Sequence, residues 1–255
     1  MQQTKTVRFA STTRKLFESK NMSSESVQAA RNTDTKIKLS LPDRAYREIK
    51  RRILENEMPS GTIMLESELA DLLDMSRTPV REALIRLSNE GMVEVRPRHG
   101  MRVLPVSRDD MIEIYDILTA LESEAADLVA RRGLSEQQLG QLTAAVDEMD
   151  QALEKDDLTG WANADERFHL LLVEFCGNKR LTNMVNTFWD QSHRVRLLTL
   201  RLRPKPSGSN DDHRAVVAAI ARNDPDAARD LHRQHRLKSG TMLVEILEKH
   251  GLSNV

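Results

Sequence analysis

Only Met75-Ser76-Arg77 separates two helical stretches in the first half of this chain, and so short a connection fixes the angle at which two helices leave it. The stretch before it holds Leu69, Leu72 and Leu73; the stretch after it repeats Val80, Leu84 and Leu87 on one face. Pro79 falls in the first turn of the second helix, where a missing N–H costs nothing, Ser76 or Thr78 supplies the cap, and Gly91 closes it. An earlier helix opens at Pro42-Asp43, carries Ala45, Ile49 and Ile53, and stops near Pro59-Ser60-Gly61. Val93-Glu94-Val95 and Met101-Arg102-Val103-Leu104 then bracket Arg96-Pro97-Arg98-His99-Gly100, a basic, Gly-containing turn between alternating strands. Three helices and a hairpin over residues 41–106 read as a winged helix-turn-helix.

The placement of charge points to duplex DNA. A helix set by a tight turn lies in a major groove with its N-terminal end toward the bases. Here that end carries Ser76, Arg77, Thr78 and Arg81. Hydroxyls suit phosphate oxygens, and an arginine fork suits the O6 and N7 acceptors of guanine. The hairpin turn adds Arg98 and His99, flanked by Arg96 and Arg102, and Gly100 lets its backbone approach closely. Any one of these arginines alone reads equally as a solvated surface charge, and a helix-turn-helix can serve protein contact. Two clusters at the two tips that such a fold presents favour DNA.

Composition narrows the remaining classes. The 255 residues carry 38 Lys+Arg and 39 Asp+Glu, which excludes a histone-like polycation. Aromatics are 4% of the chain, too few for stacking on single-stranded nucleic acid. No run approaches about 18 apolar residues, so no membrane span is expected, and without a signal-like opening the expected location is the cytoplasm. The single cysteine, Cys176, excludes an intramolecular disulfide and a thiolate zinc cage. Residues 1–40 show no sustained apolar periodicity and read as a disordered basic arm, the first 42 residues holding eight Lys/Arg against three Asp/Glu. That arm is either a solvated tail or a strand of positive charge lying along a nucleic-acid backbone. Residues 107–255 are acidic instead, with 19 Lys/Arg against 25 Asp/Glu.

The acidic part, residues 107–250, repeats apolar residues at three- and four-residue spacing in six stretches with no convincing strand, which implies an all-α antiparallel bundle. Several polar residues sit inside those stripes. Asp165 and His169 are four apart and share a face beside Phe168 and Leu172. His213 lines up with Val217 and Ile220, and His235 with Leu231 and Ala228. Three imidazoles and a carboxylate leaning toward one centre suit a divalent ion such as zinc, manganese or nickel. Each taken singly reads as a hydrogen-bonded core histidine or a surface pair. His193, His232 and His250 fall off the pattern and are assigned no site, and Cys176 reads as a small buried apolar residue.

Glu68-Leu69-Ala70 followed by Ser76-Arg77-Thr78-Pro79-Val80-Arg81-Glu82-Ala83-Leu84, Leu87 and Gly91 resembles the DNA-binding signature of the GntR family of bacterial transcription regulators. The resemblance implies operator contacts from Arg77, Thr78 and Arg81, with His99 and Gly100 at the wing tip. Three positions depart from it: Leu65 stands where a serine cap is usual, Ser67 where a DNA-contacting arginine is usual, and Asp74 where glycine is common. Asp165-Glu166-Arg167-Phe168-His169, Gly177-Asn178 with Leu181, His213-Arg214-Ala215 and Ala227-Ala228 with His235 resemble the FCD ligand domain of the FadR-type subfamily in its metal-binding form. That resemblance implies Asp165, His169, His213 and His235 as ligands of one ion. It also places an arginine on the first helix of the domain where this chain has Leu118, so Arg194 and Arg196, with Asn178, become the candidate effector contacts.

The expectation is therefore a mainly α chain, a winged helix-turn-helix followed by an FCD-like bundle. It is expected to act as a homodimeric transcription regulator, a repressor, on a pseudo-palindromic operator. A small carboxylate metabolite bound at a metal site would control its operator affinity. The rival readings are a metal-dependent enzyme and a constitutive DNA binder stiffened by a structural ion.

Overall fold

The computed structural model describes residues 39–96 and 99–252. In the head, α1 (Leu41–Leu54) is capped by the Ser40 hydroxyl, which accepts from the Asp43 N–H at 3.2 Å. α2 (Glu66–Leu73) has Leu65 at its cap position, and the Glu68 carboxylate reaches back to accept the Leu65 N–H at 2.7 Å, doing half of what a capping box does. Asp74 takes a left-handed conformation (φ 51°) to turn the chain into α3 (Arg77–Asn89), a position where glycine would be less strained. Ser76 holds the cap position of α3, yet its hydroxyl makes no capping bond and stays exposed at the helix tip. Ile49, Ile53, Leu69, Leu84, Leu87 and Met101 pack together with no exposed surface.

The hairpin pairs β2 (Val93–Arg96) with β3 (Gly100–Val103), Val93 opposite Val103 and Arg96 opposite Gly100. A strand that the sequence pattern does not suggest, β1 (Ile63–Met64), adds to the other side of β3 and makes a three-stranded sheet of order β1-β3-β2. Two residues are too few to show alternation. The crowding falls on Gly100, at φ +78°, where a Cβ would stand 2.1 Å from the Met64 carbonyl oxygen. Only glycine lets β1 close against the wing.

Six α-helices follow: α4 (Arg108–Arg132), α5 (Glu136–Glu154), α6 (Leu158–Phe175), α7 (Lys179–Thr199), α8 (Ser207–Ala221) and α9 (Pro225–Lys249). Ser107 and Asp110 form a reciprocal box at the start of α4, with bonds of 3.0 and 2.8 Å. α4 and α9 run antiparallel along their whole length: Arg108 meets Glu248 at one end and Asp127 meets Arg229 at the other. Gly240 permits the close approach between them, since a Cβ there would lie 2.8 Å from the Tyr115 ring. The head leans on α7. Lys50 pairs with Asp190 and Glu90, Gln191 donates to the Glu90 carbonyl at 2.7 Å, and Arg194 donates to the Leu104 carbonyl at 3.0 Å. No described helix is long and apolar enough to cross a membrane.

Gly240→Ala is expected to destabilise the chain by about 1–3 kcal/mol through overpacking against Tyr115. A urea titration would read this as a lower midpoint. Gly208→Ala, with nothing within 4 Å of the added carbon, should leave the midpoint unchanged or raise it.

Candidate metal centre and nucleic-acid interface

The bundle places four sequence-predicted side chains together. α6 supplies Asp165 and His169 from one face, α8 supplies His213 and α9 supplies His235, and one donor atom from each lies within 4.8 Å of the others. All four are buried, none more than 2% exposed. The Nε2 atoms of His169 and His213 are 3.3 Å apart, and Asp165 Oδ1 stands 3.8 and 3.7 Å from them. Two nitrogens bound to one ion at about 2.0–2.1 Å stand about 3.0–3.4 Å apart, so the imidazole spacing fits a shared ion. Burial drives the pKa of His169 down to about 4 despite the neighbouring Glu122, and burial with mutual repulsion carries His213 and His235 well below the ordinary histidine value. Neutral imidazoles are what a divalent ion requires.

Two of the four donors have a hydrogen-bonded partner that aims them. Glu122 of α4 accepts from His169 Nδ1 at 2.8 Å, which fixes the tautomer and leaves Nε2 as a lone pair directed at the centre. Asp165 divides its oxygens: Oδ2 takes the Arg196 guanidinium and Oδ1 faces the imidazoles. Asp212 lies 3.6 Å from His235 Nδ1. His213 Nδ1 has no partner among the described residues. Buried polar atoms without partners are costly, and a metal-bound imidazole ordinarily donates its other ring N–H to an acceptor, which the described residues do not supply for His213.

The sequence pattern missed Glu122, His232 and Arg236. Glu122 is fully buried; burial would raise its pKa, but Arg236 and His169 hold it well below the usual carboxylate range. His232, assigned no site from the sequence, is buried with Nε2 3.2 Å from Glu122 Oε2. A detectable signal existed: Glu122 falls between Leu118 and Ala125 in the stripe of α4, and Ala228, His232, Arg236 and Gly240 form a four-residue row on α9.

Beside the donors lies a cavity of about 260 Å³ that includes Asp165, His169, His235, Arg196, Arg203 and Arg236 in its wall. Two of the expected effector contacts are not there. Arg194 points from α7 to the Leu104 carbonyl, and Asn178 caps α7 by accepting from the N–H groups of Arg180 and Leu181. Arg194 and Arg196 are two residues apart, hence about 200° around a helix, so they cannot face one cavity. Arg196 is the one that faces it.

At the head, Ser76, Arg77, Thr78 and Arg81 are all exposed at the start of α3. Arg81 is clasped by Glu66 of α2, with Nε and Nη2 donating at 3.1 and 2.7 Å. His99 is exposed and Gly100 buried at the wing turn; Arg98 and residues 1–38 of the expected arm 1–40 lie outside the described residues, while Ser40 belongs to the cap of α1.

A winged helix-turn-helix joined to a helical bundle with a cavity lined by arginines and histidines defines a class: DNA-binding transcription regulators with a separate ligand-binding domain. Residues 41–103 match the gntR family of bacterial regulatory proteins, and residues 113–238 match the FCD domain. The chain belongs to the GntR family, with an FCD domain following its DNA-binding head. It is 42% identical over 131 residues, 51% of this chain and 77% of the relative, to an uncharacterized HTH-type transcriptional regulator in the TAR-I ttuE-ttuC' intergenic region of Agrobacterium vitis. It is 27% identical over 190 residues, 74% of this chain and 83% of the relative, to the HTH-type transcriptional repressor RspR of Escherichia coli K12. Among solved structures, E. coli McbR/YncC shares the fold at a TM-score of 0.70 and 23% identity, over 81% of this chain and 98% of that one. These relatives are transcription regulators rather than enzymes.

The buried imidazoles make stability depend on pH. An unfolded His169 takes up a proton near pH 6.5, and the folded one does so only near pH 4. The unfolded state therefore binds more protons in that window, and stability falls as pH drops through it. For chelator-treated protein, urea titrations at pH 7, 6 and 5 should show a loss of up to about 1.4 kcal/mol per pH unit for each such histidine. A flat profile would contradict the burial of neutral rings.

Proposed function

We propose that the chain is a repressor whose grip on a pseudo-palindromic operator is set by a small organic acid bound beside a divalent ion. Asp165, His169, His213 and His235 would hold that ion, with zinc, manganese or nickel suited to the donor set. The observation that carries this reading is the convergence of four buried donors, three of which line the neighbouring cavity. An ion held by these residues would supply a positive centre for a carboxylate or hydroxyl of the effector. Glu122 and Arg196 orient the donors, Trp161 forms part of the wall, and its indole N–H is held by Asn210 at 2.8 Å.

The route from cavity to DNA is α7. Arg196 faces the cavity, while Asp190, Gln191 and Arg194 of the same helix touch the head. An effector that prefers one seating of α7 would bias the spacing of two heads in a homodimer, and operator affinity with it. Ser76, Arg77, Thr78 and Arg81, with Arg98, His99 and Gly100 of the wing, form the DNA-reading surface. Residues 1–40 would add phosphate contacts from the cytoplasmic protein's basic arm. The repressor sign draws on two named relatives, the repressors RspR and GlaR of E. coli K12.

Elemental analysis of the purified chain should find about one divalent ion per protomer. His213→Ala should lose it and still bind operator DNA; an undiminished metal content in that variant would exclude this donor set. Turnover of a bound metabolite would favour a metalloenzyme instead. A metal-dependent melting temperature with no metabolite able to shift operator binding would favour a purely structural ion.

Arg81→Ala should weaken operator binding by about 1–3 kcal/mol, measured by fluorescence anisotropy against a scrambled duplex. Equal losses on both duplexes would mean that Arg81 reads phosphate, not base.

A further inference from the structure

The cavity wall carries more positive charge than its own carboxylates neutralise. Arg196 from α7, Arg203 from the segment after it and Arg236 from α9 all face the same space. Arg236 is 1% exposed and Arg196 8%. Buried guanidiniums ordinarily have an acceptor for each N–H and an anion for each charge. Here Arg196 Nη1, Arg203 Nε, and both Nε and Nη2 of Arg236 have no hydrogen-bond acceptor among the described residues. Arg236 Nη2 does lie 3.2 Å from Glu122 Oε1, close enough for charge attraction but not aligned for a bond.

The two buried carboxylates on this side are already committed. Asp165 is shared between Arg196 and the imidazoles, and Glu122 between His169, His232 and the charge of Arg236. At the mouth, Lys205 and Lys238 have their own anions in Asp156 and Asp212. Aromatic faces hold the guanidiniums in place without neutralising them: Arg196 stands 5.4 Å from the Trp189 ring centre, and Arg236 4.8 Å from that of Tyr115. Burial depresses the pKa of Arg196 and Arg203, and the neighbouring guanidiniums push that of Arg196 the same way. An anion entering the space would relieve all three.

We propose that this cavity takes a small dicarboxylate, with one carboxylate on the donor side and the other held by Arg203 and Arg236. The inference rests on the metal reading above. Three guanidiniums and a divalent ion against two carboxylates enclose three positive charges; a monocarboxylate cancels one of them, and a dicarboxylate two. The size agrees: pockets for drug-sized ligands run about 300–1,000 Å³, and roughly 260 Å³ suits a metabolite of about four to six carbons.

Calorimetric titration of the metal-loaded, full-length protein with matched acids tests this. The pairs are succinate and butyrate, malate and 3-hydroxybutyrate, glutarate and valerate, each of equal carbon number and differing by one carboxylate. At least one diacid should bind tenfold or more tightly than its partner. Arg203→Met, at a half-buried position that the fold tolerates more readily than Arg236, should lower diacid affinity about tenfold and change monoacid affinity less than twofold. Arg236→Lys, which keeps the charge but not the fork, should fall between. Equal affinity within every pair, or no diacid bound at all, would overturn the proposal. Metal content measured on the same samples separates the two readings. A diacid preference that survives without bound metal and vanishes in Arg203→Met would leave the arginine wall standing and remove the ion. Bound metal with no diacid preference would do the reverse.

Discussion

The bundle is organised around a carboxylate that water does not reach. Glu122 accepts from His169 of α6, lies against His232 of α9 and sits beside the Arg236 charge, so one side chain of α4 ties three helices at a single depth. An isolated carboxylate there would be expelled or protonated; this one is held ionised by the groups around it. Their dependence is mutual. Without Glu122, His169 would have no fixed tautomer and Arg236 no anion, and the donor cluster would lose its orientation even though none of its four members had changed.

A second dependence follows from α7. Its residues divide in allegiance: Asp190, Gln191 and Arg194 serve the head, and Arg196, stacked on Trp189, lines the cavity. Lys50 illustrates how firmly the head side is set. Burial alone would lower its pKa, yet Asp190 and Tyr46 raise it above that of an ordinary lysine, so the lysine remains charged at any physiological pH. A helix pinned at both faces transmits displacement rather than absorbing it, because packed interfaces have few intermediate arrangements.

Much of this was legible in the sequence, for reasons that also explain what was not. The six bundle helices announce themselves by three- and four-residue spacing, and Asp165, His169, His213 and His235 by interrupting it with polar groups. Glu122 carries the same mark, but a single glutamate in a helix is ordinarily a surface residue, and its partners are 47 and 110 positions away. His232 was hidden by the choice of row on α9. Leu231 is only partly buried, and the buried row runs one residue later, about 100° around the helix. Arg194 lies two residues from Arg196 and so on the opposite side of α7, against the head, while β1 is too short to have a period at all.

On the proposed DNA-reading role of Arg81, its clasp by Glu66 bears on selectivity. A carboxylate offers two acceptors side by side, as the edge of guanine does, so the arginine fork is held extended before any duplex arrives. Little side-chain freedom is left to lose on docking, but the incoming partner must replace a charged competitor. A phosphate can take the fork through two oxygens and a guanine edge through O6 and N7, and either one would have to displace the carboxylate first. The ion pair would thus act as a toll on every encounter, repaid only where the incoming acceptors are as well aligned as the carboxylate they replace.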